Sequence, residues 1–316
     1  MTDVITSDNI ASVSLNDAAK DPQGFAQELG NSFVEYGFAI IRDHGIPEEL
    51  IHRAEEKAKL FFALPDEVKN GYYIKGAGGA RGYTPFGIET AKGFKAHDLK
   101  EFWHVGRELA EGHKFREVMA DNIWPAEVLD FRNTFTALYA AFDEAGVKVL
   151  RAIARFLKVD EDYFTDTVRD GNSVMRLLHY PAQSEPTGEH IRAAAHEDIN
   201  TITLLLGAEE AGLELKTKDG RWIPVSPKAG ELVINIGDML QRLTNGVLRS
   251  TSHRVVNPAP DRASHARYSM PFFLHFRPDF MIEALPGTVP AGEEPKWPPI
   301  SSHEYLQERL REIKLK

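Results

Sequence analysis

The sequence predicts an α+β chain that is mainly β in its second half, with a jelly-roll core, a helical N-terminal region and a long support helix. Three observations carry this. From Ser173 onward, short runs rich in β-branched and aromatic residues alternate with Pro, Gly, Asp and Asn. Before them, residues 126–157 hold an apolar stripe spaced in steps of three and four, or multiples of these. The N-terminal third mixes helical periodicity with a single short apolar run.

Each element has its own local reason. Asp21-Pro22 reads as a helix cap with proline in the first turn, and Phe25, Leu29 and Phe33 follow at helical spacing until Gly37 stops the pattern. Phe38-Ala39-Ile40-Ile41 is then a buried strand. A second helix carries Ile51, Ala54, Ala58, Phe61 and Phe62 on one face and is closed by Pro65. Phe131, Phe135, Leu138, Phe142, Val149, Ile153 and Phe156 mark one long helix from Ala126 to Leu157 that faces the core. Seven strands are expected at Val174–Tyr180, Thr201–Leu206, Leu213–Thr217, Trp222–Val225, Leu232–Ile236, Arg254–Val256 and Tyr268–Phe276, with a hairpin at Asp219-Gly220. Ser301 and Glu304 form a capping box for a last helix with Tyr305, Leu306 and Leu310. With no repeat or linker in view, one domain is expected. It comprises a helical and mixed region over residues 1–172, a jelly-roll core over 173–280 and a tail with a helix over 281–316.

Composition narrows the function classes. At 316 residues and 42% hydrophobic content the chain has material for one large core or two modest ones. Its 37 Lys and Arg against 47 Asp and Glu, a formal charge of −10, argue against nucleic-acid binding and for a small-molecule partner. There is no cysteine, which removes disulfides, iron–sulfur clusters, thiolate zinc sites and cysteine nucleophiles. The start Met1-Thr2-Asp3-Val4 lacks a signal pattern and no apolar run is long enough for a bilayer, so a soluble, cytoplasmic protein without membrane association is expected. Any metal must then be held by His, Asp or Glu.

The most informative segment is His196-Glu197-Asp198. In extended backbone, residues two apart share a side, so His196 and Asp198 can face one metal while Glu197 points away. His253, at the entry to a later strand, is the best third ligand. Two neutral imidazoles and one carboxylate on one face of an octahedron leave adjacent positions open, the arrangement that oxygen-activating iron(II) needs. A His-x-Asp tripeptide alone says little; its weight comes from the ordered set completed by Arg267-Tyr268-Ser269. There Arg267 offers a bidentate fork to a carboxylate, and Ser269 adds a hydroxyl on the same face.

These residues, with Glu35-Tyr36-Gly37-Phe38, Asp43-His44-Gly45-Ile46-Pro47, Asn245-Gly246 and His253-Arg254-Val255, resemble the isopenicillin-N-synthase-like branch of the iron(II)/2-oxoglutarate-dependent dioxygenases over nearly the whole chain. The resemblance implies a double-stranded β-helix with the metal at its open end and His196, Asp198 and His253 as ligands. It further implies that Arg267 and Ser269, with Tyr180, bind the distal carboxylate of 2-oxoglutarate. Fe(II), 2-oxoglutarate and dioxygen are the implied cofactors. The implied reaction is oxidation of a small organic substrate, carboxylated molecules among the candidates, most commonly by hydroxylation. Two departures stand out: Leu178 occupies a position where plant members often carry Asn, and Pro258 to Ala266 reads as a short insertion containing a rival Arg262-Ala263-Ser264. Arg267 is preferred because it opens an apolar strand, whereas Arg262 lies in turn-like sequence.

Arg81, Tyr83, Phe86, Phe102, Arg192 and Phe273 are candidate substrate-lining residues, the arginines suiting an acidic substrate. The glycines of Gly76 to Gly82 lack a phosphate-loop pattern and read as a mobile loop near the site. His97, His104, His265 and His275 read as structural, with His275 placed to face the interior, and His190 as exposed. The competing readings are an oxidase of the same fold that does not use 2-oxoglutarate, and a non-redox cupin-like metal-binding protein or zinc hydrolase. A serine hydrolase is disfavoured because no Gly-x-Ser-x-Gly is present.

Overall fold

The computed structural model describes residues 10–76, 80–88, 99–182, 192–206, 212–257 and 265–312. Its helices are α1 (Leu15–Lys20), α2 (Pro22–Glu35), α3 (Glu48–Phe62), α4 (Asp66–Asn70), α5 (Phe131–Phe156), α6 (Tyr163–Val168), α7 (Asp238–Leu243) and α8 (Ser302–Glu312). Its strands are β1 (Ser12–Ser14), β2 (Phe38–Arg42), β3 (Gly82–Thr84), β4 (Glu101–Gly106), β5 (Val174–Tyr180), β6 (Ala193–His196), β7 (Ile202–Leu206), β8 (Leu213–Lys216), β9 (Trp222–Pro224), β10 (Leu232–Ile236), β11 (His253–Val255), β12 (Arg267–Ser269), β13 (Pro271–Leu274), β14 (Met281–Ile282) and β15 (Ile300–Ser301).

The helices begin where the sequence supplies caps. Asp21 accepts a hydrogen bond from the Gly24 amide at 2.9 Å and opens α2, whose Phe25, Leu29 and Phe33 are buried. At α8 the capping box closes in both directions, with the Glu304 amide donating to Ser301 Oγ at 3.2 Å and the Ser301 amide to Glu304 Oε2 at 3.3 Å. The long helix is shorter at its start than its apolar stripe suggests. Asp130 takes a left-handed φ of 60°, so residues 126–130 form turns and α5 begins at Phe131. Where α5 ends it crosses α2 closely: a Cβ on Gly30 would lie 2.1 Å from the Phe156 ring, so only glycine admits that approach.

Two sheets form the β core. The larger runs β1-β2-β10-β7-β13-β5-β4-β3, with β12 also paired to β5; the smaller runs β6-β11-β8-β9. Neighbours are antiparallel except β1 with β2. Strand alternation divides the large sheet into two faces. Leu232, Ile234, Ile202, Leu204, Phe272, Leu274, Met175, Leu177 and Trp103 join the helices in the main core, where Phe142 stacks on Phe272 at 5.4 Å. On the opposite face, Phe38, Ile40 and Val233 pack with Leu213, Leu215, Ile223 and Val255 of the small sheet. This is the double-stranded β-helix, with α2, α3 and α5 outside its large sheet.

The expected strand from Tyr268 to Phe276 is two strands, since Met270 interrupts the ladder and β12 pairs with β5 alone while β13 pairs with β5 and β7. Pro271, which has no amide proton, stands at the break. The Asp219-Gly220 hairpin forms as expected, with Gly220 at φ 86° and the Thr217 amide bonded to Arg221 O at 2.8 Å. β3, β4 and β6 were not anticipated. The run Glu101-Phe102-Trp103-His104 mixes charged and aromatic side chains and hides its period of two. No helix among the described residues is long and apolar enough to cross a membrane.

Candidate active site

His196 ends β6 directly opposite His253, which opens β11, and their ring centroids are 4.4 Å apart. Two residues past His196 the chain turns Asp198 toward both rings: Asp198 Oδ1 lies 3.9 Å from His196 Nε2, and Oδ2 lies 3.8 Å from His253 Nε2. One ligand atom from each residue fits within 4.8 Å of the others. Glu197 is exposed, as the alternation predicts.

Hydrogen bonds behind this cluster orient its donors. His196 Nδ1 is 2.7 Å from Ala194 O and His253 Nδ1 is 3.0 Å from Thr251 O. A carbonyl only accepts, so each Nδ1 donates and each Nε2 carries the lone pair. Asp198 Oδ2 accepts from Thr203 Oγ1 at 2.5 Å and from Asn235 Nδ2 at 2.8 Å, groups supplied by β7 and β10. Burial pushes the Asp198 pKa up, but His253, His196 and these two hydrogen bonds outweigh it and hold the pKa below its ordinary value. Burial, with His253 beside it, depresses His196 to about 4. Two imidazole nitrogens and an ionised carboxylate held together in this way fit the preferences of iron(II).

A second group of polar residues lies along β5 and β12. Arg267 and Ser269 stand opposite Tyr180 and Leu178 and are almost fully buried. The Arg267 guanidinium carbon is 5.2 Å from the Tyr180 ring centroid, and that of fully buried Arg192 is 5.8 Å from the same ring. Lys100 is also buried, close enough for its charge to lower the His196 pKa. The two guanidinium groups beside the Tyr180 ring suit a carboxylate. Arg262, His97, His190 and residues 77–79 of the glycine-rich stretch lie outside the described residues.

The six lining candidates separate. Phe102 clusters with Leu178 and Tyr180 on the inner face, Phe273 sits opposite Thr203 there, and Arg192 joins Tyr180. Arg81 and Tyr83 are not brought to this face. Tyr83 pairs with Trp103 on the helix side, where its hydroxyl donates to Glu101 and its ring meets Phe61 at 5.8 Å. Arg81 is buried against Gly106 and donates to Ala120 O at 3.0 Å. Phe86 is 48% exposed. His275 is buried and faces inward, its pKa depressed by burial to about 4.

Sequence reasoning missed two inner-face residues. His104, expected to be structural, stands opposite Arg176, and Arg176 Nε donates to His104 Nε2 at 2.6 Å. The signal was alternation: Arg176 precedes Leu178 and Tyr180 by two and four residues, and His104 follows Phe102 by two.

Comparison with known proteins agrees with this geometry. Residues 9–127 match the family described as "non-haem dioxygenase in morphine synthesis N-terminal", and residues 171–276 match the 2OG-Fe(II) oxygenase superfamily. The 2-oxoglutarate-Fe(II) type oxidoreductase hxnY of Emericella nidulans is 36% identical over 291 residues, which span 89% of this chain and 82% of that protein. The crystal structure of a 2OG-Fe(II) oxygenase family protein from Caulobacter crescentus superposes with a TM-score of 0.90 at 56% identity, covering 96% of this chain and 99% of its own. A full-length Neurospora crassa protein crystallised in complex with alpha-KG superposes with a TM-score of 0.87 at 30% identity, covering 97% and 98%, and its complex with alpha-KG and thymine gives 0.86. The chain therefore belongs to the 2OG-Fe(II) oxygenase superfamily, with the isopenicillin-N-synthase-like architecture, and is an enzyme that uses iron(II), 2-oxoglutarate and dioxygen.

Proposed function

We propose that His196, Asp198 and His253 hold the iron, that Arg267, Ser269 and Tyr180 bind the distal carboxylate of 2-oxoglutarate, and that the inner face beyond them receives a small organic molecule for hydroxylation. The observation that carries this reading is the pair of Nδ1-to-carbonyl hydrogen bonds, which turn both Nε2 atoms toward Asp198. When bound, the iron supplies dioxygen activation coupled to the conversion of 2-oxoglutarate to succinate and carbon dioxide, with one oxygen atom entering the substrate as a hydroxyl.

The chain's own work is positional. Thr203 and Asn235 keep Asp198 ionised and fixed, so the site loses little entropy when a cation enters. Arg267 meets a carboxylate with a planar fork, and Tyr180 supports that guanidinium from one side. Leu178 and Phe102 give the inner face beside Tyr180 an apolar lining, which disfavours water there. The thymine bound in the Neurospora crassa relative supports a compact, planar substrate here as well.

Anaerobic addition of iron(II) and then 2-oxoglutarate tests the reading. A visible metal-to-ligand absorption band is expected, lost with Asp198→Ala. A band of unchanged strength in that variant overturns the ligand assignment.

A further inference from the structure

The strand that carries the proposed cosubstrate anchor has little backbone support. β12 is three residues long, lies off the main path of the large sheet and pairs with β5 alone. So short an antiparallel ladder offers only a few backbone hydrogen bonds. Arg267 and Ser269 point to the inner face, and alternation sends Tyr268, between them, to the helix side, where it packs against the main core. The position of the two inner side chains therefore depends on what grips Tyr268.

That grip is aromatic. His179 stands directly opposite Tyr268 on β5, and the two rings stack with centroids 4.8 Å apart and planes 17° apart. Phe62 of α3 reaches both rings, its centroid 5.2 Å from His179 and 6.3 Å from Tyr268, and Lys59 Nζ of the same helix lies 5.7 Å from the Tyr268 centroid. His179 is fixed in turn. Its Nδ1 donates to Glu101 at 2.6 Å, and Glu101 also accepts from Lys69 Nζ at 2.8 Å and from the Tyr83 hydroxyl. The Tyr268 hydroxyl makes no hydrogen bond among the described residues, so the stack uses its ring.

We propose that the stack of Tyr268 on His179, tied through Glu101 to α4 and through Phe62 to α3, positions Arg267 and Ser269 for 2-oxoglutarate. Tyr268 and His179 are positioning residues: neither reaches the inner face, and both act on the cosubstrate through β12. The proposal rests on the reading that Arg267 and Ser269 bind the distal carboxylate. A planar fork and a hydroxyl that must meet one carboxylate together tolerate little misalignment. Without the grip, β12 samples arrangements in which the two are not aligned, and apparent affinity falls with the aligned fraction. The loss of one stacked ring pair is expected to change that affinity by about two- to tenfold.

Titration of 2-oxoglutarate into the anaerobic iron(II) enzyme, read by the metal-to-ligand band, tests this alongside a melting curve for each variant. Tyr268→Leu and His179→Leu are each expected to raise the dissociation constant about two- to tenfold, while the band keeps its full strength at saturation. Tyr268→Phe, which keeps the ring, is expected to bind like the wild type. Phe61→Leu is the control for a purely structural effect. Phe61 meets the rings of Tyr83, Trp103 and Phe131 on the same side but none of β12, so its variant is expected to melt earlier and bind 2-oxoglutarate unchanged.

The proposal is overturned if either Tyr268→Leu or His179→Leu folds and binds 2-oxoglutarate like the wild type, if Tyr268→Phe binds as weakly as Tyr268→Leu, or if Phe61→Leu weakens binding as much. Should Tyr268→Leu not fold, His179→Leu decides; loss of fold in both assigns the stack to stability and overturns the role as well. Arg267→Ala is titrated in parallel. Unchanged affinity in that variant overturns the anchor reading itself, whereas a large loss there with none in the two leucine variants overturns only the positioning role.

Discussion

The two faces of the β4–β5 ribbon bury polar groups in opposite ways. On the helix side, Glu101 receives hydrogen bonds from Lys69 Nζ at 2.8 Å, from the Tyr83 hydroxyl, and from His179 Nδ1 at 2.6 Å; His179 in turn stacks on Tyr268. Those groups satisfy one another, and the cluster ties α4 to the sheet. On the other face of the same strands, His104, Arg176 and Tyr180 point inward with Arg267 and Ser269. There Arg176 Nε donates to His104 Nε2 at 2.6 Å, and the rings of Phe102, Phe273 and Tyr180 flank the guanidinium groups of Arg176 and Arg267. Burial of a charge therefore does not mark a functional site by itself. What the two faces show is a carboxylate, a lysine and a histidine closing on one another on the helix side, and guanidinium groups lying against aromatic rings on the inner side.

The comparison breaks most sharply at the metal triad. His196→Ala, Asp198→Ala and His253→Ala are each expected to abolish iron-dependent succinate formation, while Glu197→Ala, one residue away and exposed, changes it little. Metal content by elemental analysis and far-ultraviolet circular dichroism should show iron lost and fold kept. An active Asp198→Ala enzyme beside a dead Glu197→Ala enzyme reverses the alternation argument.

On the helix side the expected effect is on stability. Glu101→Ala leaves Lys69 buried without its main partner, and breaking such a pair costs roughly 3–5 kcal/mol. The lower end applies, because Asp66 remains 3.0 Å from Lys69. The pH dependence has a definite sign. Burial alone raises the Glu101 pKa, but the bonds from His179, Lys69 and Tyr83 prevail and hold it below its ordinary value. Its contribution is thus complete above the unfolded carboxylate pKa, about 4.3, and is lost as pH falls through the folded value. Urea midpoints measured across the acid range should fall less steeply for Glu101→Gln than for the wild type. Equal slopes remove the network from the account of stability.

These contrasts also explain what could be read before the structure. The triad was legible because its chemistry is local: His-x-Asp needs only the period of a strand, and His253 needs only a strand entry. Arg267 and Ser269 were expected on one face for the same reason, and β12 places them so. Tyr83 and Arg81 were misplaced because the face a strand presents depends on its partner. Once β3 pairs Tyr83 with Trp103, Tyr83 must share the helix side. Arg176 and His104 carry no motif; their meaning comes from a cross-strand contact between segments 72 residues apart. The long helix was recognised, but its start was expected at Ala126 and lies at Phe131, because the left-handed Asp130 before it leaves no mark in the apolar pattern.

At the proposed cosubstrate anchor, Arg267→Ala should weaken 2-oxoglutarate by about one to two orders of magnitude, the equivalent of roughly 1.5–3 kcal/mol for a charge-assisted pair. Thermal stability should move far less than in Glu101→Ala. Titration of 2-oxoglutarate into the anaerobic iron(II) enzyme reads the first quantity and a melting curve the second. A large loss of stability with unchanged affinity would place Arg267 with the helix-side network in kind.

The smallest effect comes from two tyrosines that each lose one hydroxyl. Tyr83 and Tyr180 are both nearly inaccessible, at 3% and 2% exposure, so burial does not tell them apart. Tyr83→Phe removes one of three hydrogen bonds to Glu101 and keeps the ring against Phe61, so a loss of about 1 kcal/mol is expected, with 2-oxoglutarate affinity unchanged. Tyr180→Phe keeps the ring beside Arg267 and Arg192 but removes the hydroxyl assigned to the cosubstrate carboxylate. Its affinity for 2-oxoglutarate should fall by about fivefold, the same 1 kcal/mol appearing as binding instead of stability. Paired urea melts and 2-oxoglutarate titrations on the two variants decide the matter, because one hydroxyl should register in only one measurement each. If Tyr180→Phe lowers stability and leaves affinity intact, its hydroxyl serves the fold, and the inner face near β12 is less dedicated to ligands than its geometry indicates.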